Sequence, residues 1–191
     1  NSYESYSNNS FFPSYFAKRH NFTKKDLLSC LDKFKELKVC VIGDLIIDEY
    51  ISCTPLGMSQ EDPTIVVSPT EKVRFIGGAG IVSMHASSLG AQVTFLSVTG
   101  KDDERKYAKN QLNNNNLTAY LALDEKRNTT LKQRFQAEGK VLLRVSNLMQ
   151  DFIDKDIQLE LLEAFDKVLD DIDLVVFSDF NYGCLPQTLV D

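Results

Sequence analysis

The sequence predicts an α/β fold with a mostly parallel sheet flanked by helices, and three observations carry that reading. Continuous apolar runs, "KVCVIGD" at 38–44, "AQVTFLSVTG" at 91–100 and "DLVVFSDF" at 173–180, read as strands buried on both faces, which parallel sheets require. Segments with helical apolar spacing alternate with such strands, giving strand, helix, strand, helix, strand, helix, strand. Two of the runs end in acids, Asp44 and Asp179, at the strand tips beyond which open α/β sheets bind ligands.

The elements follow in order. Residues 1–22 read as a polar tail or linker rich in Ser, Asn, Tyr and Phe. "TKKD" at 23–26 has capping-box form, with Asp26 in place of the usual Glu, and Leu27, Leu28, Leu31 and Phe34 keep helical spacing. This predicts an amphipathic helix over 24–36 lying on the domain. After the first buried strand, "YISCTPLG" and "IVVSPTEKVRF" alternate and contain proline, so they read as short, exposed antiparallel strands. A helix over 80–89 stops at Gly90, a second buried strand follows, and a helix over 102–113 is ended by the run Asn113–Asn116. "LTAYLAL" is a third strand, and "TTLKQRFQAEGKVLLRVS" reads as a hairpin turning near Glu138-Gly139-Lys140. Ile157, Leu161, Leu162, Phe165, Val168 and Leu169 stripe a helix from Asp154 to Leu169, which leads into the last buried strand.

Composition narrows the function classes. A chain of 191 residues, 43% hydrophobic and 25% charged, suits one domain with a sizeable core, or a domain with an appendage. A net charge of −6 gives no basic footprint for nucleic acid and no general attraction to anionic membranes. No apolar run approaches the ~20 residues of a membrane span. The N-terminus lacks signal-peptide order, so the expected location is the cytoplasm. Cys30, Cys40, Cys53 and Cys184 form no C-x-x-C pair and do not cluster with His20 or His85, so no metal site is expected. Cys40 reads as a small core residue, and His85 as a partly packed helix residue.

The residues with chemical potential lie around the strand ends. Asp44 and Asp48 stand four apart in "GDLIIDEY", a spacing that places two carboxylates on one face of an extended segment, able to accept hydrogen bonds from adjacent sugar hydroxyls. The plainer reading is that Asp48 and Glu49 solvate a turn. Gly77, Gly78 and Gly80 can admit a ligand to bare backbone at a helix start, or serve only the close packing of a strand-to-helix corner. Gly78-x-Gly80-x-x-Ser83 is a near miss for a dinucleotide fingerprint, with Ser at its third position and only Asp102 or Asp103 as the ribose acid. Lys132 and Arg134 share a strand face, with Arg144 across the hairpin; together they suit a phosphate, or merely space charge on an exposed ribbon. Asp179 can orient a hydroxyl or join a metal shell, or act as a simple cap. There is no G-x-x-x-x-G-K-[ST] phosphate loop, and no Ser-His-Asp or Cys-His arrangement can be argued.

"VIGDLIIDEY", "FIGGAGIVSMHASSLGAQVTFLSVTGKDD", "TLKQRF", "VLLR" and "VVFSDFNYG", in this order from residue 38 to about 185, resemble the ribokinase-like sugar kinases, and among them the heptose-7-phosphate kinase branch that serves lipopolysaccharide precursor synthesis. The resemblance implies an α/β sandwich with a small β lid over about 50–57, 64–75 and part of 129–147, a lid that often supplies a dimer contact. It implies sugar binding by Asp44, Gly77 and Gly78, with Asp48 as the second acid of the first motif. It also implies Mg²⁺ and ATP as cofactors of the intact enzyme. Two departures stand out: Ile81 replaces an Asn that holds a substrate hydroxyl, and Tyr182 replaces a Lys. The family's catalytic base sits in a Gly-Ala-Gly-Asp turn, which these residues lack. The resemblance therefore predicts that residues 23–191 are the amino-terminal half of a kinase domain, inactive alone and holding no tightly bound cofactor. The expected partner is a small sugar or sugar phosphate, with a homodimer through the lid. A non-catalytic sugar-binding module and a Rossmann-type nucleotide binder are the alternatives, and the polar tail also suits attachment to another catalytic domain.

Overall fold

The computed structural model describes residues 14–114 and 117–191. Most of the expected polar tail lies outside the described residues, and Ser14–Arg19 forms a short helix, α1. The capping box is present. Thr23 N–H donates to Asp26 Oδ2 at 2.7 Å, Asp26 N–H donates to Thr23 Oγ1 at 3.3 Å, and α2 runs Lys24–Phe34. The helix does not lie flat on the domain as expected. Leu31 and Phe34 are half-buried, but Leu27 and Leu28 are exposed and border an open apolar hollow with Ala17 and Phe22.

Two sheets follow. β1 is Lys38–Gly43, β2 Leu45–Met58 and β3 Ile65–Gly78, followed by α3, Ala79–Ser88, and β4, Gln92–Thr99. Then come α4, Asp103–Asn114, and β5, Thr118–Leu123. β6, Thr130–Ala137, and β7, Lys140–Asn147, form the hairpin, whose turn residues Glu138 and Gly139 have φ of 50° and 75°, as a two-residue turn matched to strand twist requires. α5, Lys155–Leu169, β8, Leu174–Ser178, and α6, Gln187–Val190, complete the chain. The first sheet has the order β5-β4-β1-β8 with every pairing parallel, and the second has the order β3-β2-β6-β7.

Alternation along β1 builds a core on each face of the parallel sheet. Val39 and Val41 join Phe95, Ala108 and Leu112 on the side of α3 and α4, while Cys40 and Ile42 join Leu96, Leu161 and Ala164 on the side of α5. Cys40 is the expected core residue, and burial pushes its thiol up to about 11. His85, by contrast, is exposed rather than partly packed.

Two strand expectations need correction. β8 is not buried on both faces: it is an edge strand with Leu174 and Phe177 each 49% exposed. The exposed antiparallel strands are not short either, since β2 and β3 have 14 residues each, β2 beginning and β3 ending beside the tip of β1. Register shifts at Ser52/Cys53 and Pro55/Gly57 absorb the proline and let the ladder continue.

The topology locates the site. From β1 the parallel sheet grows through β4 to β5, and then β8 joins on the other side of β1. Strand order therefore reverses at β1, and the crevice beyond the tips of β1 and β8 is the switch point where such sheets bind ligands.

Candidate active site

Asp44 stands at that switch point. Gly43 lets the tips of β1 and β8 touch, because a Cβ there would lie 2.1 Å from the Ser178 carbonyl oxygen. Asp44 is 4% exposed, and its carboxylate is the anchor of the loop after β8. Oδ2 accepts the N–H groups of Phe180 at 2.8 Å and Tyr182 at 3.2 Å, and Oδ1 accepts that of Cys184 at 3.2 Å. Burial pushes the Asp44 carboxyl above its ordinary value, the three N–H groups oppose that shift, and the nearby Asp179 charge adds to it. Asp179 itself is exposed and accepts the Asn181 N–H at 2.7 Å, which shapes the turn.

Arg127 grips the same loop from the other side. Its buried guanidinium donates to Asp124 Oδ2 at 2.8 Å, to the Tyr182 carbonyl at 3.1 Å and to the Asp151 carbonyl at 3.2 Å. Sequence reasoning missed Arg127. Only its pairing with Asp124 is local, and the other two partners are distant in the chain.

The lid face carries the rest of the site. Asp48 on β2 is paired with Arg134 on β6, and Lys132 is the direct register partner of Asp48. The Lys132 ammonium lies 4.9 Å from the Tyr182 ring centroid and 5.9 Å from that of Phe180. Arg134 also lies over the Tyr50 ring, at 5.1 Å. Arg144 faces Arg134 across the hairpin but is exposed, and no ion pair ties it to the site among the described residues.

The bare backbone at 77–78 is what lets the two acids sit here. A Cβ on Gly77 would meet Asp48 Oδ2 at 2.4 Å. Gly78 has φ of +58°, and its Cβ would meet the Asp44 carbonyl oxygen at 2.2 Å. That carbonyl accepts the Ala79 N–H at 2.9 Å, so the start of α3 is docked on Asp44. Gly80 serves packing, with Ile76 and Leu45 side chains within 2.8 Å of where its Cβ would be. The structure thus brings Asp44, Asp48, Gly77, Gly78, Lys132 and Arg134 together around one crevice. Ser83 is buried, with its hydroxyl on the Ala79 carbonyl, and the glycines follow an antiparallel lid strand. Asp102 is occupied by Thr129 and the Arg105 N–H.

Glu49 reverses its expected role. It is buried rather than solvating a turn, and it accepts from Arg74 at 2.7 Å and from Gln133 at 2.6 Å. Strand alternation sends it to the face of β2 opposite Asp48. Among the described residues, no three His, Cys, Asp or Glu side chains group to hold a metal ion.

A carboxylate pair beside paired and unpaired cations suits a polyhydroxylated ligand with anionic substituents. The family model for pfkB family carbohydrate kinases matches residues 36–189. The chain belongs to the pfkB family of carbohydrate kinases. Bifunctional protein HldE of Helicobacter pylori strain P12 is 35% identical to it over 149 residues, covering 78% of this chain and 32% of that protein. This pfkB-family chain therefore spans about a third of the length of the relatives that it matches. In fold it is similar to a putative phosphofructokinase from Staphylococcus aureus, with a TM-score of 0.62 and 15% identity over 80% of this chain and 47% of that one. Phosphofructokinase-2 from Escherichia coli, in complex with substrates and products, gives a TM-score of 0.60 and 15% identity over 81% and 49%. The ribokinase-like fold implied by the motifs is the fold found, with β2, β3, β6 and β7 forming a second sheet beside the parallel one. No helix among the described residues is long and apolar enough to cross a membrane.

Proposed function

We propose that this chain is the acceptor-binding part of a kinase that transfers the γ-phosphoryl group of ATP to a hydroxyl of a sugar or sugar phosphate of the heptose-phosphate kind. The observation that carries the reading is the convergence of Asp44, Asp48, Gly77 and Gly78 with Lys132 and Arg134 at the switch point. In this reading the carboxylates of Asp44 and Asp48 orient sugar hydroxyls, and Gly77 and Gly78 keep the acids in place. Lys132, Arg134 and Arg144 neutralise a phosphate that the sugar already carries. Asp179 holds the turn that completes the wall of the site.

The described residues do not fit a Mg²⁺–ATP site, for they contain neither a metal-ligating group of acids nor a phosphate loop. The base that deprotonates the acceptor hydroxyl and the nucleotide pocket are assigned to residues outside this chain, which makes the chain alone inactive. The exposed apolar side chains of Leu56, Met58 and Leu143 on the lid support a homodimer through it.

A second reading, a sugar-binding module without catalysis, draws support from Ile81, which offers no polar group at its half-buried place in α3. Mg²⁺-dependent ADP release by the native-length gene product, against sugars and their 1- and 7-phosphates, separates the two. Turnover with one acceptor supports the kinase. Binding without turnover supports the module. Neither binding nor turnover overturns both.

A further inference from the structure

Lys132 differs from the arginines that are ion-paired around the site, and from Arg144 in being held against two rings. Arg134 is neutralised by Asp48, Arg127 by Asp124, and Arg74 by Glu49 and Glu104. Lys132 stands directly opposite Asp48 in register, yet that carboxylate is paired with Arg134, and no carboxylate lies within 4.0 Å of the Lys132 ammonium among the described residues. Its neighbours are instead the Tyr182 and Phe180 rings, at 4.9 and 5.9 Å. A ring face attracts a cation without neutralising it. The ammonium therefore keeps its charge and its three donors for an incoming oxygen anion.

The rings are held as firmly as the cation. Asp44 Oδ2 accepts the N–H of both ring-bearing residues, and Arg127 donates to the Tyr182 carbonyl at 3.1 Å. The two residues flanking Tyr182 complete the turn: Asn181 takes φ of 61° and Gly183 φ of 84°. A Cβ on Gly183 would lie 2.0 Å from the Asp151 carbonyl oxygen. Tyr182 is thus fixed at both of its peptide groups, so the direction of its ring is built into the fold. A lysine side chain carries about 2 kcal/mol of rotamer entropy. A ring that holds the ammonium beforehand reduces what binding must then order.

We infer that Tyr182, with Phe180, is a positioning residue that holds the Lys132 ammonium as the contact for a phosphate group already on the sugar, and that this pair sets the preference for phosphorylated over unphosphorylated acceptors. The inference rests on the sugar-kinase reading for its ligand, but the anion contact is testable separately. The probes are inorganic phosphate, followed by ³¹P line broadening, and two matched pairs, sedoheptulose 7-phosphate with sedoheptulose and mannose 6-phosphate with mannose, followed by calorimetry on the whole chain. Lys132→Met should weaken phosphate binding about tenfold or more, the loss of a charged contact, leaving Arg134 and Arg144 as the remaining contacts. Tyr182→Leu should weaken it about fivefold, a cation–π contact of ~1 kcal/mol, and Tyr182→Phe should restore it. In the double variant, Tyr182→Leu should add nothing to Lys132→Met. The ratio of sugar-phosphate to sugar affinity should fall in the same order, with the urea midpoint unchanged for the Tyr182 variants.

Phosphate binding indifferent to both positions, or effects of the two substitutions that simply multiply, overturns the inference. Sugar binding with no preference for the phosphorylated partner overturns it too and leaves the kinase reading standing. Phosphate binding that follows the expected order, with no sugar or sugar phosphate bound or turned over, instead removes the kinase reading and keeps the Lys132–Tyr182 anion site.

Discussion

Arg74 Nε donates to Glu49 Oε1 at 2.7 Å, and the same guanidinium reaches Glu104 of α4 at 3.4 Å. Tyr107, also on α4, donates its hydroxyl to the Arg74 carbonyl at 2.6 Å. The lid is therefore not a free flap. Its central strand β2 is tied through β3 to a helix of the parallel-sheet layer, and the tie passes through a buried carboxylate.

Removing one partner of a buried pair leaves the other charged and poorly compensated, which costs about 3 kcal/mol. Arg74→Ala should lower the unfolding free energy, read from urea titration, by that amount and raise amide exchange in β2 and β3 before the rest of the chain. Glu49→Gln in the Arg74→Ala background should recover much of the loss. No recovery would mean that Glu49 carries little of the strain.

The two glycines at the site should differ in their tolerance of a methyl group. Gly78→Ala puts a Cβ 2.2 Å from a backbone oxygen at φ of +58°, so neither the neighbour nor the torsion can relax cheaply. A loss of about 2–3 kcal/mol is expected. Gly77→Ala meets the carboxylate end of Asp48, which can swing away. It should cost about 1 kcal/mol of stability and show its main effect in ligand affinity, because Asp48 then leaves Arg134. Thermal melts and calorimetry of the two variants check this order.

Asp44→Ala should lower sugar or sugar-phosphate affinity about tenfold or more, since one hydrogen bond from a sugar hydroxyl to a charged acceptor is worth about 1.5–3 kcal/mol, and it should also loosen the loop after β8, whose Phe180, Tyr182 and Cys184 N–H groups lose their acceptor. Asp44→Asn should recover little, because its amide would turn an N–H toward N–H donors. Unchanged affinity in both variants would remove Asp44 from the site.

Acid stability follows from two carboxylates. Burial pushes Glu49 up, but hydrogen bonds from Gln133 and Arg74 and the charges of Arg74 and Lys72 outweigh it, and the group titrates below its ordinary value. Burial is likewise outweighed at Asp124 by Arg127, the Lys126 N–H and both their charges. For both, the unfolded chain binds more protons, so their stabilisation is complete above about pH 5 and is lost as pH falls through the folded values. Asp44 has the opposite sign: its raised carboxyl takes stability away as pH rises above the ordinary aspartate value. Urea midpoints from pH 3 to pH 7 should therefore fall on acidification, and Glu49→Gln should flatten that limb while lowering the plateau.

Much of this was legible in the residues. The runs at 38–44 and 91–100 are apolar at odd and even positions alike, and that two-faced burial identified central strands. The run at 173–180 has the same signature, and β8 is the last strand of this sheet, with Leu174 and Phe177 exposed. Gly77 and Gly78 stand out in the sequence at a strand end before a helix, and Asp44 as the acid that ends a buried apolar run. Glu49 does not, since its burial depends on Arg74 and Gln133, which only strand pairing brings near. The aromatic pair around Lys132 was hidden for the same reason: its rings come from a loop that meets β6 only through the folded topology.

The wiring of Asp44 also sets an order of events during folding. Its three donors lie 136, 138 and 140 residues further along the chain. β1, β4 and β5 can pair while the chain is still being made, but the long loop that β8 must close is the slow, entropically expensive contact. Until it closes, the carboxylate has no backbone partners and the ring pair does not exist. Completion of the parallel sheet and assembly of the crevice are then one event, and the gain of ligand affinity during refolding is a clock for the arrival of β8.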